Sequence, residues 1–187
     1  MPRPIYLTFD DGPTPGVTDE VLDLLAAGGH RATFFCVGAQ VERYPELARR
    51  IVAEGHAVGN HTYTHRDAWK VSLTAYLDEV LRTDRVIEQT LGERPKLFRP
   101  PYGKLTPQAW WRIRSSHQIV WWHALAWDWD ARLSPEACYE RLQWGLAPGR
   151  IAVLHDSIKA KDRVLPLLRK LLHEWEDKDW HSQVISK

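Results

Sequence analysis

The sequence predicts an α/β fold, a distorted (β/α) barrel with about seven parallel strands, on three observations. Short β-rich runs alternate with longer stretches of helical periodicity, the pattern of parallel strands joined by crossover helices. The alternation runs through all 187 residues with no internal repeat, low-complexity segment or linker, so 1–187 reads as one domain. The reactive side chains fall just after the strand-like runs, where a barrel collects them on one rim.

Strands are expected at 5–9, 32–37, 56–59, 97–99, 118–125, 151–155 and 182–185. Between them the helices carry end signals. Thr18 is the expected cap of the first, with Asp19 and Glu20 in its first turn and Gly28-Gly29 at its end. Pro45 opens a second that stops at Gly55. Ser72 caps a long third whose Leu73, Tyr76, Leu77, Val80, Leu81, Ile87 and Leu91 recur at helical spacing before Gly92. Thr106-Pro107 and Ser134-Pro135 are cap-plus-proline pairs that open two more. A sixth, at about 162–176, lines up Val164, Leu165, Leu168, Leu171, Leu172 and Trp175.

Composition narrows the class. Lys and Arg number 25 against 24 Asp and Glu, and 44% of residues are hydrophobic, which is ordinary globular composition. The basic residues are scattered, so no nucleic-acid or anionic-membrane surface is expected. No apolar run reaches the roughly 20 residues of a membrane span. The first ten residues lack a charged stretch followed by an apolar one, so no secretion signal is read in this chain. No protein partner is implied. Cys36 and Cys138 match neither a disulfide framework nor a metal pattern and are expected as reduced core thiols.

Five segments deliver chemistry to the expected rim. Thr8-Phe9-Asp10-Asp11-Gly12-Pro13 sets two carboxylates side by side at a strand end. Neighbours on an extended chain point to opposite faces, so both serve one site only if the backbone bends, which Gly12-Pro13 encourages. Taken alone the segment also reads as a turn with solvated acids. His61-Thr62-Tyr63-Thr64-His65 spaces two imidazoles for a common ion on a helical turn or tight loop. Two imidazoles and a rim carboxylate make a three-ligand zinc site that keeps one position open, the pattern of catalysis. Arg99, before Pro100-Pro101-Tyr102-Gly103, is placed to pair a carboxylate with both prongs. His155 ends the sixth expected strand, and either Asp128 or Asp156 is placed to orient it. A metal there would polarise a carbonyl and activate a bound water.

From Tyr6 to about Leu172 the chain resembles the polysaccharide deacetylases of carbohydrate esterase family 4, the NodB-homology domain. The segments Thr8 to Pro13, His61 to His65, Arg99 to Gly103 and Leu154-His155-Asp156, in that order, carry the likeness. It implies a seven-stranded distorted barrel, Asp10 as general base, and Asp11, His61 and His65 as metal ligands. It further implies that Arg99 positions Asp10, that the Tyr102 backbone N–H helps hold an oxyanion, and that Asp128 tunes His155, the general acid. Trp129 would wall the groove. Two positions depart from the family pattern: Leu125 stands where an acid is usual and Val153 where a leucine is, and both alter the pocket wall.

The resemblance implies N-deacetylation of N-acetylglucosamine polymers or oligomers, chitin or peptidoglycan, to free amine and acetate. Its variants are O-deacetylation of acetylated xylan and small-molecule amide hydrolysis. The donor set suits Zn²⁺, with Co²⁺, Ni²⁺ and Fe²⁺ as alternatives. Relatives are mostly exported or tied to the cell envelope. Six of the ten tryptophans fall at Trp110, Trp111, Trp121, Trp122, Trp127 and Trp129; most are expected in core or helix packing, with Trp129 alone at the groove.

Overall fold

A computed structural model of the chain describes residues 4–186. One parallel sheet of seven strands runs β1 (Tyr6–Asp10), β2 (Thr33–Cys36), β3 (Ala57–Asn60), β4 (Leu97–Phe98), β5 (Gln118–Ile119), β6 (Ala124–Leu125) and β7 (Ile151–His155). Their order across the sheet is β5-β4-β3-β2-β1-β7-β6, and every pairing is parallel. Helices α1 (Thr18–Ala27), α2 (Gly38–Arg43), α3 (Pro45–Ala53), α4 (Leu73–Leu91), α5 (Pro107–Ile113), α6 (Pro135–Gln143) and α7 (Lys161–Lys178) join them.

The seven strands are reached by two compensating differences from the sequence reading. The run 118–125 is two strands, β5 and β6, which pair with β4 and β7 at opposite edges of the sheet. Residues 120–123 carry the chain across the gap, so the sheet curls into an open barrel. The expected strand at 182–185 reduces to a single bridge between Ile5 and Ser182. β1 pairs with β7 from Tyr6 and with β2 from Thr8, so the tail finds free backbone only at the foot of the barrel. There the Ser182 hydroxyl accepts from Leu7 N–H.

Strands paired on both edges and covered on both faces have no solvent side, and all four residues of β2 are buried. One continuous core joins Leu7, Phe9, Phe34, Val21, Leu25, Leu154, Leu168 and Trp175, binding α1 and α7 to the central strands. Cys36 and Cys138 are free and buried, as expected.

Helix ends follow the expected chemistry at Ser72, Thr106 and Ser134, whose hydroxyls accept from the N–H of Ala75, Ala109 and Ala137. Gly92 closes α4 at φ 86°. Thr18 departs from expectation: it is the first residue inside α1, and its hydroxyl serves the site below. Helix α2 was not legible, being six residues with only Gly38 and Val41 buried. It packs so closely on α4 that a Cβ on Gly38 would lie 2.7 Å from Thr83 Oγ1.

Candidate active site

Parallel register delivers the reactive groups to one level. Asp10 pairs across to His155, Cys36 to Asn60 and Asn60 to Phe98, so Asp10, His155, His61 and Arg99 stand together at the C-terminal rim. Asp10, His61 and His155 line a groove of about 750 Å³ with Asp11, His65, Tyr102, Trp122, Leu125, Trp129 and Val153, and Arg99 is buried behind them.

The two aspartates reach one site because the bend is at Asp11 itself, whose φ is 86°. Gly12 is required for a different reason than turn formation: a Cβ there would sit 1.9 Å from Asp156 Oδ2. Asp156 clamps this loop, accepting from Gly12 N–H at 2.9 Å and from the Thr18 hydroxyl at 2.6 Å. Burial is the main cause that raises its carboxyl to about 7. Of the two candidates to orient His155, the structure therefore selects Asp128. Its Oδ1 lies 2.8 Å from His155 Nδ1, and its Oδ2 accepts the His155 backbone N–H at 2.8 Å. Burial opposes charge on His155, but Asp128, followed by Asp11 and Asp10, outweighs it and raises the imidazole to about 9.

Arg99 is fully buried, with its guanidinium 4.1 Å over the Phe35 ring. Its Nη1 donates to Asp10 Oδ1 at 2.8 Å and to the Thr8 hydroxyl at 2.6 Å, and its Nε reaches Val120 C=O at 3.3 Å. The pair with Asp10 is thus single-pronged, not the two-pronged pair that the sequence suggested: Nη1 is shared between Asp10 and Thr8, Nε turns to Val120, and Nη2 is buried without a partner. Thr8 lies two residues before Asp10 and so on the same face of β1; that spacing was the available sign of its role.

His61 and His65 lie on a tight loop, not a helical turn, with Thr62 and His65 both at positive φ. His61 Nδ1 donates to Arg99 C=O at 2.7 Å, which leaves the Nε2 lone pair facing the carboxylates. Burial, with His65 alongside, lowers His61 to about 3, and burial also lowers His65. Both imidazoles are therefore neutral at pH 7, the form that can bind a metal. His65 Nε2 and His61 Nε2 lie 3.2 and 3.8 Å from Asp11 Oδ1. That oxygen is buried with no hydrogen-bond partner. Donors about 2.0 Å from a tetrahedral ion lie roughly 3.3 Å apart, so Asp11, His61 and His65, whose donor atoms all lie within 4.8 Å of one another, fit a divalent metal.

The groove walls are aromatic and apolar. Trp129 meets the His155 ring edge to face at 4.7 Å, and Tyr102 meets His65 at 4.5 Å. Tyr102 holds φ at 60° in a 3₁₀ turn, Pro101–Gly103, whose own bonds run from Gly103 and Lys104 N–H and leave the Tyr102 N–H unused by them. Val153, two residues before His155 on β7, is buried beneath it, and Leu125 is half-buried at the end of β6. The expectation that most tryptophans pack in the core is overturned. Trp110, Trp111, Trp121, Trp127 and Trp129 are all exposed, and Trp175 is the one fully buried among the described residues. Trp110 and Trp111 lie on α5, Trp121 in the link between β5 and β6, and Trp127 and Trp129 in the loop after β6, while the inward positions of the same run go to Ile113, Val120, Ala124 and Ala126. Thr14, Gln40, Ser157 and Lys159 also line the groove and carried no signal in the sequence.

The curled parallel sheet thus gathers paired acids, two rim histidines and an Asp-His couple at one mouth, groups suited to metal-assisted hydrolysis. The family model for polysaccharide deacetylases matches residues 1–119, and the chain belongs to that family. It is 33% identical over 88% of its length to a peptidoglycan-N-acetylglucosamine deacetylase of Bacillus cereus, and spans 63% of that protein. It is 40% identical over 82% of its length to a chitooligosaccharide deacetylase of Bradyrhizobium, covering 71% of it. The family 4 carbohydrate esterase of Streptomyces lividans, solved with acetate, superposes with a TM-score of 0.88 at 31% identity. That superposition covers 98% of this chain and 93% of the other. No helix among the described residues is long and apolar enough to cross a membrane.

Proposed function

We propose that the chain hydrolyses N-acetyl groups of N-acetylglucosamine-containing oligosaccharides or polysaccharides, with Zn²⁺ as the resident metal. The observation that carries this reading is the unpartnered Asp11 oxygen facing the His61 Nε2 lone pair and the His65 ring, beside an Arg99-held Asp10 and an Asp128-held His155. The names of the Bacillus cereus and Bradyrhizobium relatives support the substrate class. Asp11, His61 and His65 would hold the metal, which when bound supplies a Lewis acid for the acyl carbonyl.

The protein's own groups do the rest. Arg99, itself steadied by the Thr8 hydroxyl, fixes Asp10 by Oδ1, and the free Oδ2 of Asp10 lies 3.8 Å from His61 Nε2, turned towards the metal site, where it takes the proton of the attacking water. The Tyr102 N–H is placed to donate to the developing oxyanion. His155, charged at neutral pH and free at Nε2, protonates the departing amine, which leaves poorly as an anion. Trp129 and Tyr102 face the sugar rings across the groove, and Leu125 and Val153 shape the floor.

The test is acetate release from N-acetylglucosamine oligomers of two to six units and from peptidoglycan fragments, before chelation, after it, and with zinc restored. Release that is lost and regained with the metal is the expected result. Wild-type protein with zinc bound that releases no acetate from either substrate would refute the reading.

A further inference from the structure

We propose that Asp84, acting through Asn60, is a positioning residue that holds the His61–His65 loop in its metal-binding shape. This rests on the reading of His61 and His65 as ligands and extends it to a buried polar network behind the barrel wall.

The loop needs an external restraint. Thr62 is β-branched yet sits at φ 63°, and His65 sits at φ 56°, a left-handed region that is strained for the first and uncommon for the second. Asn60, the last residue of β3 and fully buried, supplies one: its Oδ1 accepts the Thr62 N–H at 2.8 Å. The other end of that amide is pinned to α4, where Nδ2 donates to Val80 C=O at 2.8 Å and to Asp84 Oδ1 at 2.7 Å. Thr62 C=O in turn accepts from Gly38 N–H at 3.0 Å, so α2 braces the other side of the same residue.

Asp84 is itself fully buried and held by donors on both oxygens. His117 Nε2 lies 2.9 Å from Oδ1, while Arg94 Nη2 and Nε reach Oδ2 at 2.7 and 3.2 Å. A buried carboxylate with this many partners is weak as a stability device, since apolar packing in its place is often as good. What it provides is direction: with Oδ1 fixed by two donors, the Asn60 amide has one orientation, and its oxygen must face Thr62. Ser116, 2.9 Å from His117 Nδ1, completes a Ser-His-Asp series, but it lies outside the groove lining and serves as a strut. Partners of this kind behind a metal ligand typically cost 10- to 100-fold in metal affinity when removed.

The experiment measures zinc affinity by competition with a chromophoric chelator, alongside the melting temperature, for wild type, Asn60→Ala, Asp84→Asn and Leu171→Ala. Leu171 is a buried core residue of α7 outside the network, so its variant reports loss of stability alone. Expected is a 10- to 100-fold loss of affinity in Asn60→Ala and Asp84→Asn, with wild-type affinity in Leu171→Ala despite a lowered melting temperature. Wild-type affinity in Asn60→Ala or in Asp84→Asn, or an equal loss in Leu171→Ala, would overturn the proposal. Should Asp84→Asn fail to fold, Asp84→Ser takes its place, with the same two outcomes. Wild-type protein that binds no zinc would overturn this proposal together with the ligand assignment beneath it.

Discussion

Buried histidines occupy both ends of this barrel, and they differ in which nitrogen holds the proton. At the foot, His30 and His56 accept through Nδ1 from the Ser182 and Ala32 N–H groups, at 3.2 and 3.1 Å, so each carries its proton on Nε2. At the rim, His61 donates through Nδ1 to Arg99 C=O, and its Nε2 is a bare lone pair. Burial lowers His30, His56 and His61 alike, so a depressed pKa does not mark the functional residue. What marks it is a lone pair facing carboxylate oxygens, one of them without any partner, an arrangement that is repulsive until a cation lies between them.

The comparison is broken most severely at Asp10. Asp10→Asn should lower kcat about 1,000-fold while zinc remains bound, because general-base contributions run to ~10²–10⁴; metal analysis of the same preparation checks the second half. Next is His155→Ala, expected to cost about 100-fold on acetamido substrates and only a few-fold on activated acetyl esters, whose leaving groups need no proton. Equal losses on both would remove its role as the acid.

Asp128→Asn sharpens the rim's electrostatics. His155 is raised to about 9, so the acid form is present below that pH and turnover should fall as pH rises through it. Without the Asp128 charge the imidazolium loses its main support, and the alkaline limb of the pH–rate profile should move down towards the ordinary histidine range near ~6.5. An unmoved limb would assign it to another group.

The smallest effect belongs to the foot. His56 falls to about 4 in the folded chain, against 6.5 for an unperturbed histidine, so between these values the unfolded chain binds more protons than the folded one. Its contribution to stability is therefore complete above pH 6.5 and is lost as pH falls towards 4. His56→Asn keeps an acceptor for Ala32 N–H and cannot titrate there; its melting temperature should decline less over that window, with acetate release at pH 7 unchanged.

Much of the rim was legible because it is encoded locally. Strand-end placement puts Asp10, His61, Arg99 and His155 on one level, and parallel register then aligns them. What escaped depends on contacts distant in sequence. Nothing near Asp11 announces that it, and not Gly12-Pro13, makes the bend; that follows from Asp156 filling the space beside Gly12. The run 118–125 is uniformly β-prone, and only the curl of the sheet decides that its two halves pair at opposite edges. The tryptophans misled because an apolar side chain gives no hint whether it faces a core or a groove. The Asp84–Asn60 link joins positions 24 residues apart, on a helix face that otherwise reads as ordinary amphipathic pattern.

The most direct measurement is zinc stoichiometry with parallel acetate release for wild type, His61→Ala and His56→Ala. One zinc per chain in wild type and His56→Ala, none in His61→Ala, and acetate release that follows the metal is the predicted outcome. Zinc retained at full occupancy in His61→Ala, or lost in a folded His56→Ala, would contradict the assignment of the rim lone pairs as the metal site.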